Sequence, residues 1–160
     1  MYDTDLDITW LADANVIGAT DWYAAVAWAD TLEIAGFRDW RLPKTVVPDA
    51  TCEDELWGGY NCTGSEMGHL FYNGLGGTAG SSILTSGDSA LSLFTNIGAN
   101  RYWSGTPSTI STAAWSFRMY SGLQEADNKS QSYAWGLARL AWAVHDGDVG
   151  GTGFATKACD

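Results

Sequence analysis

The sequence predicts an α+β domain, and three observations predict it. Apolar residues recur at helical spacing in the first half of the chain, whereas apolar and polar residues alternate in the final third. The 160 residues include nineteen Gly and nine Trp but only three Pro, which is typical of short elements joined by tight turns. A chain of this length fits one domain, so we expect a packed body over residues 1–149 and a tail over residues 150–160.

A strand and a helix are expected to open the fold. The alternation of Leu6, Ile8 and Trp10 with their neighbours indicates a strand with one buried face. A helix is then expected to begin at a cap on Thr20 and to run to about Leu32. Its apolar stripe has helical spacing and comprises Trp22, Ala25, Val26, Ala29 and Leu32.

The segment after this helix, residues 36–43, carries an unusual Trp40-Arg41 pair. Gly36 ends the helical pattern, and Pro43 favours extended backbone at the residue before it. A guanidinium beside an indole in an apolar run is typical of an Arg that is paired or stacked inside the structure. We therefore interpret Arg41 as structural, with ligand contact as the alternative.

A second helix is predicted after Thr63, because Thr63 and Glu66 have the spacing of a capping box. The apolar positions that follow at helical spacing are Met67, Leu70, Phe71 and Leu75. His69 lies off this stripe without a partner at helical spacing, so we interpret it as a surface or half-buried histidine and not as a metal ligand. Residues 77–100, rich in Gly, Ser, Thr and Asn, are expected to be loop with one short helix or turn.

The final third is expected to form the sheet. Four strands are indicated by Tyr102-Trp103, by the alternation in residues 115–120, by residues 133–135 and by residues 140–144. Turns are expected at residues 105–107, 121–122 and 127–129.

The three cysteines indicate an oxidising environment. Cys52 and Cys62 enclose a short acidic loop that a disulfide would close. A zinc site is the competing interpretation, but it needs four ligands, and the remaining soft candidates are His69, His145 and Cys159. Cys159 is left over near the end of the sequence, either as a free thiol or as a link between two chains.

Charge excludes two classes of partner. With 19 acidic and 8 basic residues the net charge is −11, which argues against binding to nucleic acid or to an anionic membrane surface. No apolar run approaches the length of a membrane span, so direct membrane insertion is not expected. Asp3, Asp5 and Asp7 are spaced like the start of a calcium loop but lack its Gly and terminal Glu. No cofactor or metal is therefore predicted, and calcium is left open without support.

Several segments taken in order resemble a known bacterial family. They are residues 6–11, the Trp22 helix, residues 36–43, Gly64-Ser65-Glu66-Met67-Gly68-His69-Leu70-Phe71-Tyr72, residues 102–106 and residues 133–135. Together they resemble the domain family typified by the C-terminal domain of the Legionella collagen-like adhesin, and they are similar to versions in exported proteins with a PEP-CTERM sorting tail. The resemblance implies a C-type-lectin-like fold with two helices packed on small, mostly antiparallel sheets. It also implies export and a binding role outside the cell or at its surface.

The residues favour binding over catalysis. Ser104 has no base or acid in a recognisable pattern around it, so a nucleophilic serine is not expected and the chain is predicted not to be an enzyme. Sugars present flat apolar faces and hydroxyl edges, which suit exposed aromatic and polar side chains. The candidate ligand-binding residues of the final third are Trp103, Arg118, Tyr120, Gln124, Asp127, Asn128 and Tyr133.

We thus expect an extracellular or cell-surface module that recognises glycans or surface polymers in adhesion. A first alternative is a structural subunit that self-assembles into a filament or matrix, with Cys159 as a possible link between copies. A second alternative is a variable ligand-display protein on a lectin-like scaffold.

Overall fold

Two α-helices and two β-sheets form an α+β fold in the computed structural model, which describes residues 1–134 and 136–150. The α-helices are α1 (Trp22–Thr31) and α2 (Glu66–His69), and the strands are β1 (Tyr2–Asp3), β2 (Ile8–Trp10), β3 (Arg101–Pro107), β4 (Ala113–Arg118), β5 (Leu123–Asn128), β6 (Tyr133–Ala134), β7 (Leu137–Leu140) and β8 (Val144–Asp146). Two short 3₁₀ helices, Ile83–Thr85 and Ser89–Leu93, lie in the Gly- and Ser-rich segment. Of the predicted tail, residues 151–160 lie outside the described part of the chain.

The smaller sheet joins the two ends of the described chain. Its strand order is β1-β2-β8 with antiparallel pairing throughout. All three residues of β2 are buried, so the expectation of one buried face is wrong. The hydroxyl of Thr9 donates to the Gly147 carbonyl at 2.7 Å and accepts from the Val149 amide at 3.1 Å. These bonds offset the cost of burying a polar side chain.

The larger sheet has the order β5-β4-β3-β7-β6, with β5 and β6 at its edges. Its pairs are antiparallel except β3 with β7, which is parallel. The single strand expected over residues 140–144 is wrong, because β7 ends at Leu140 and β8 begins at Val144 in the other sheet. The connection between the two sheets is buried, and the Trp142 indole donates to the Leu11 carbonyl at 2.7 Å.

Both helices begin elsewhere than their predicted caps. The cap of α1 is Asp21, whose carboxylate accepts from the Ala24 amide at 2.9 Å, and not Thr20. The α2 helix begins after Ser65 and continues into the π-helical turn Leu70–Gly74. The capping box predicted at Thr63 does not form, since Ser65 accepts from the Val46 amide instead of capping α2.

Tryptophan rings fill the interior between the helices and sheets. Trp142 lies at the centre of the main core, with ring centroids 5.2 Å from Trp10, 4.8 Å from Phe94 and 5.6 Å from Tyr102. A second core cluster surrounds Trp103 beneath the buried face of α1. Edge-on and tilted contacts of this kind stabilise aromatic pairs beyond the area that they bury.

Arg41 ties three segments together, as its structural interpretation predicts. Its guanidinium donates two bonds of 2.8 Å to the Glu66 carboxylate at the start of α2 and one of 2.6 Å to Asp146 on β8. Burial lowers the pKa of Arg41, but the bonds and charges of Glu66 and Asp146 outweigh it and raise the pKa above its usual value. The cation is therefore held in a bidentate pair.

A buried ionic centre lies on one face of the larger sheet. Asp127 of β5 accepts from Arg101 of β3 and from Arg139 of β7, both at 2.9 Å, and from Ser116 of β4 at 2.7 Å. Burial raises the pKa of Asp127, yet the bonds from Arg139 and Ser116 and the two positive charges bring it below its usual value. The centre links four neighbouring strands through their side chains.

Candidate functional site

The candidate functional site is a surface groove of about 480 Å³ beside the edge strand β5. We call it the Trp57 groove. Five segments line it: the chain after residue 44, the loop between the two bonded cysteines, the end of β3 with the following turn, and strands β4 and β5. The lining residues are Thr45, Val47, Leu56, Trp57, Thr106, Pro107, Ser108, Thr109, Ile110, Trp115 and Ala126.

The loop that carries Trp57 is closed by the disulfide between Cys52 and Cys62. Within it, the Asp54 carboxylate accepts from the amides of Leu56 and Trp57 at 2.9 and 3.0 Å. The backbones of Asp54 and Gly58 also bond to each other in both directions. These bonds hold a tight turn, with the Trp57 ring at its tip.

Two glycines let this turn dock on the sheet. Gly59 exchanges two backbone hydrogen bonds of 2.9 Å with Gln124 of β5. Gly58 has φ +90°, and a Cβ there would lie 2.5 Å from the Gln124 carbonyl oxygen. Only glycine permits this close approach and this backbone conformation. The position of Trp57 relative to β5 is thus fixed by backbone contacts.

The opposite wall is polar as well as apolar. Thr106 accepts from the Thr45 amide at 3.0 Å, which joins two lining segments. In the β3–β4 turn, Ser108 accepts from the Ile110 amide at 2.9 Å. The side-chain hydroxyls of Thr45 and Thr109 make no hydrogen bond within the described residues. These two hydroxyls are available to a ligand.

The Trp57 groove collects exposed apolar side chains. Trp57 is 65% exposed, and Leu56 and Ile110 are each more than half exposed. Val47 is also exposed at the rim, whereas Trp115 forms a buried part of the wall. An exposed apolar cluster rimmed by polar groups is typical of an interaction site.

A second cavity of about 450 Å³ adjoins the groove and shares Thr106 and Pro107 with it. It lies between α1 and the segment after Trp40. Three charged residues take part in its lining, namely Asp30, Arg41 and Lys44. Both cavities are thus lined in part by the end of β3.

Three of the residues predicted to bind ligand are buried in structural roles. Trp103 is fully buried, and its indole donates to the Thr20 carbonyl at 3.0 Å. Gln124 is buried against Cys52, and Asp127 forms the ionic centre. Because none of the three side chains presents a free surface, we correct their assignment as ligand contacts.

The other four predicted residues are spread over the sheet. Arg118, at the end of β4, pairs with Glu125 and lies 5.7 Å from the centroid of the Tyr120 ring. Asn128 lies at the opposite end of the β4–β5 pair, roughly 17 Å away for five residues at strand spacing. Tyr133 is exposed on β6, about 19 Å from β5 across four strand spacings. The structure thus brings together only Arg118 and Tyr120.

Groups suited to catalysis are not assembled around Ser104. Ser104 is buried, and its hydroxyl accepts from the Thr106 amide at 3.1 Å. Neither His69 nor His145 forms a hydrogen bond with it in the part of the chain that the structure describes. Among those residues, the group with metal-ligand chemistry is Asp3, Asp5 and His69.

Sequence reasoning missed Trp57. The signal was present, because a Trp between Glu55 and Gly58 in an acidic loop between two cysteines has few apolar neighbours to bury it. The other walls of the groove come from distant segments. Only the folded chain brings them beside the disulfide loop.

Comparison with protein-family models, with curated proteins and with solved structures finds no match to this chain. The α+β class therefore rests on the observed helices and sheets. No helix within the described residues has both the length and the apolar character needed to cross a bilayer.

Proposed function

We propose that the protein is a non-enzymatic carbohydrate-binding module on a C-type-lectin-like scaffold, which recognises a glycan or surface polymer through the Trp57 groove. The observation that carries the proposal is the exposed Trp57 ring, held by a disulfide-closed turn above an apolar groove with free hydroxyls.

The chemistry of the groove suits a sugar ring. The apolar CH face of a pyranose packs on an aromatic side chain, while its hydroxyl edge needs donors and acceptors nearby. Trp57 supplies the aromatic surface, and Thr45 and Thr109 supply hydroxyls that each donate and accept. Because the Trp57 turn is already bonded to β5, little ordering is needed when a ligand binds.

The lining also favours binding over catalysis. None of the eleven lining residues is an Asp, Glu, His, Lys, Arg or Cys. General acid–base or nucleophilic catalysis draws mainly on those residue types. The proposed role therefore ends at recognition.

Charge narrows the class of glycan. The chain has a net charge of −11, and Glu53, Asp54 and Glu55 immediately precede Leu56 and Trp57. Acidic polysaccharides would be repelled by this surface. We therefore propose neutral or amino-sugar polymers as the ligand class.

The adjoining cavity supports recognition of more than one sugar unit. It shares Thr106 and Pro107 with the groove, so a linear oligosaccharide bound over Trp57 would continue toward Lys44 and Asp30. An extended ligand of this kind is consistent with a polymer outside the cell. The Cys52–Cys62 disulfide supports the proposed extracellular or cell-surface location.

A glycan array probed with labelled protein tests the proposal. The array carries neutral, acidic and amino-sugar oligosaccharides of several lengths, and W57A is the matched negative control. We expect signal on neutral or amino-sugar chains that increases with chain length and is lost in W57A. Absence of signal on all glycans, or equal signal from W57A, would overturn the proposal.

The same exposed apolar side chains favour a second candidate function, a self-assembling structural subunit. Val47, Leu56, Trp57 and Ile110 are exposed around the same groove and would be covered by another copy of the chain. Light scattering after size exclusion separates the two functions. The binding module is expected to be monomeric. Concentration-dependent oligomers that are absent in the W57A variant would favour the structural subunit.

A further inference from the structure

A compact group of metal-ligand side chains lies away from the Trp57 groove, where the first strand meets α2. It comprises Asp3 of β1, Asp5 in the following turn and His69 at the end of α2. One ligand atom from each residue lies within 4.8 Å of the other two. Asp3 and Asp5 lie more than sixty positions before His69 in sequence, so the fold itself brings the two segments together.

The Asp3 carboxylate is the unusual member. Asp3 is 1% exposed, and its Oδ1 accepts from the amides of Asp5 and Leu6 at 3.1 and 3.2 Å. Its Oδ2 is buried and has no hydrogen-bond partner within residues 1–134 and 136–150. A buried carboxylate oxygen without a partner is costly unless a cation neutralises it.

The His69 imidazole lies close to both carboxylates. The Nε2 atom of His69 lies 3.7 Å from Asp3 Oδ2 and 3.6 Å from Asp5 Oδ2. Both separations exceed hydrogen-bond length and are close to the edge of about 3.3 Å expected for a tetrahedron of ligands about 2.0 Å from zinc. Two of the three ligand–ligand distances are thus close to those around a zinc ion, and the three ligand atoms all lie within 4.8 Å of one another.

We propose that Asp3, Asp5 and His69 bind a divalent transition-metal ion, with zinc as the best match. Two carboxylate oxygens and one imidazole nitrogen are donors that zinc accepts, and the two negative charges balance the cation. Calcium takes six to eight oxygen ligands, which this group does not supply. The Asp5 side chain is 69% exposed, so an ion can reach the group from solvent.

Occupation of the site would attach the first strand to α2. An ion that binds only the folded chain stabilises it by RT ln(1 + c/Kd), where c is the ion concentration, so the stability rises with the logarithm of c once c exceeds Kd. Zinc is therefore expected to raise the Tm of the protein, an effect that does not depend on any glycan.

Calorimetric titration of Zn²⁺ into metal-free protein tests the site, with Mn²⁺ and Ca²⁺ titrated in parallel. The titrated protein is prepared without an affinity tag, and all variants carry Cys159→Ser because a free thiol would bind zinc independently. We expect one Zn²⁺ per chain and a zinc-dependent rise in Tm. The D5N and H69Q variants are each expected to weaken binding at least about tenfold, since even outer partners of metal ligands contribute that much.

Asp7→Asn is the matched control. Asp7 lies in the same turn and carries the same charge, but its carboxylate accepts from the Tyr2 hydroxyl at 2.6 Å and is not part of the group. D7N is expected to bind zinc like the parent protein. Absence of saturable binding by the parent, or equal loss in D5N and D7N, would overturn the site. The Asp5 side chain is largely exposed, so D5N is not expected to impair folding.

Discussion

Single residues decide whether charge can be buried in this fold. Asp127 can be buried because two guanidinium groups and one hydroxyl donate hydrogen bonds to it. The neutral but polar Thr9 can likewise be buried, because its hydroxyl both donates and accepts a hydrogen bond. In both cases the partner groups, and not the residue type, determine burial.

Removing the charge of Asp127 is expected to be strongly destabilising. In D127N the Arg139 guanidinium remains buried without its partner Asp127, and Arg101 keeps only the Glu125 carboxylate at 3.3 Å, which together cost about 3 kcal/mol of unfolding free energy. Asp146→Asn is the comparison, because that carboxylate is 71% exposed and contributes at most about 1 kcal/mol. Urea denaturation measures both values, and equal losses would contradict the assignment of Asp127 as a buried ionic centre.

The same carboxylate predicts a dependence of stability on pH. The pKa of Asp127 in the folded protein lies below its unfolded value of about 3.9. Its contribution is therefore complete above that unfolded value and is lost as pH falls through the folded pKa. Urea midpoints measured from pH 6 down to pH 2 should fall more steeply for the parent protein than for D127N. Parallel curves would show that Asp127 does not contribute to the acid sensitivity.

At the scale of elements, the close contact between α2 and the disulfide loop is possible because Gly68 has no side chain. A Cβ on Gly68 would lie 1.7 Å from the Cys62 carbonyl oxygen. Helix propensity alone would make alanine better than glycine there by about 1 kcal/mol. Helix propensity therefore predicts that Gly68→Ala stabilises the protein, whereas packing predicts that it destabilises the protein.

We expect packing to dominate, so that Gly68→Ala destabilises the protein by at least about 2 kcal/mol. Gly74→Ala is the matched control, because its Cβ would meet only the flexible end of Leu70 at 3.2 Å. The control is expected to change stability by less than about 1 kcal/mol. Thermal denaturation of the two variants decides the question, and a stabilised G68A would show that α2 does not rest on the loop as described.

The disulfide links element stability to the candidate site. Closing the loop between Cys52 and Cys62, ten positions apart, contributes about 2–3 kcal/mol by restricting the unfolded chain. The double variant C52A/C62A is expected to lose that stability and also to bind glycan more weakly, because the Trp57 turn becomes less ordered. Calorimetry and denaturation on one sample measure both effects. Full glycan affinity in a folded double variant would contradict the role given to the disulfide.

The elements predicted from sequence are those with strong local patterns. The stripe around Ala25 and Ala29 located α1, and the alternation near Trp115 located β4. β5 was missed because Leu123–Asn128 is mostly polar, and its two buried residues, Gln124 and Asp127, are themselves polar and are bonded to side chains elsewhere in the fold. The sequence prediction joined the end of β7 and the start of β8 into one strand. The reason is that a continuous apolar run gives no sign of where the chain leaves one sheet for another.

At the scale of the whole molecule, the site is made by tertiary contacts that local patterns do not contain. The candidate residues of the final third fall on both edges and both ends of the larger sheet. The Trp57 groove instead joins the disulfide loop, the segment at Thr45 and the end of β3. The expectation of an aromatic binding surface is carried forward as a proposal, but its location moves from the last strands to the loop before α2.

The most direct test is a calorimetric titration of the oligosaccharide with the strongest array signal into the parent protein and three variants. W57A is expected to bind at least about tenfold more weakly, which corresponds to about 1.4 kcal/mol of lost aromatic contact. Y23A and Y133A, which remove comparably exposed rings from α1 and β6, are expected to bind like the parent protein. Unchanged affinity in W57A together with weakened binding in Y133A would contradict the account and place recognition at the far edge of the sheet.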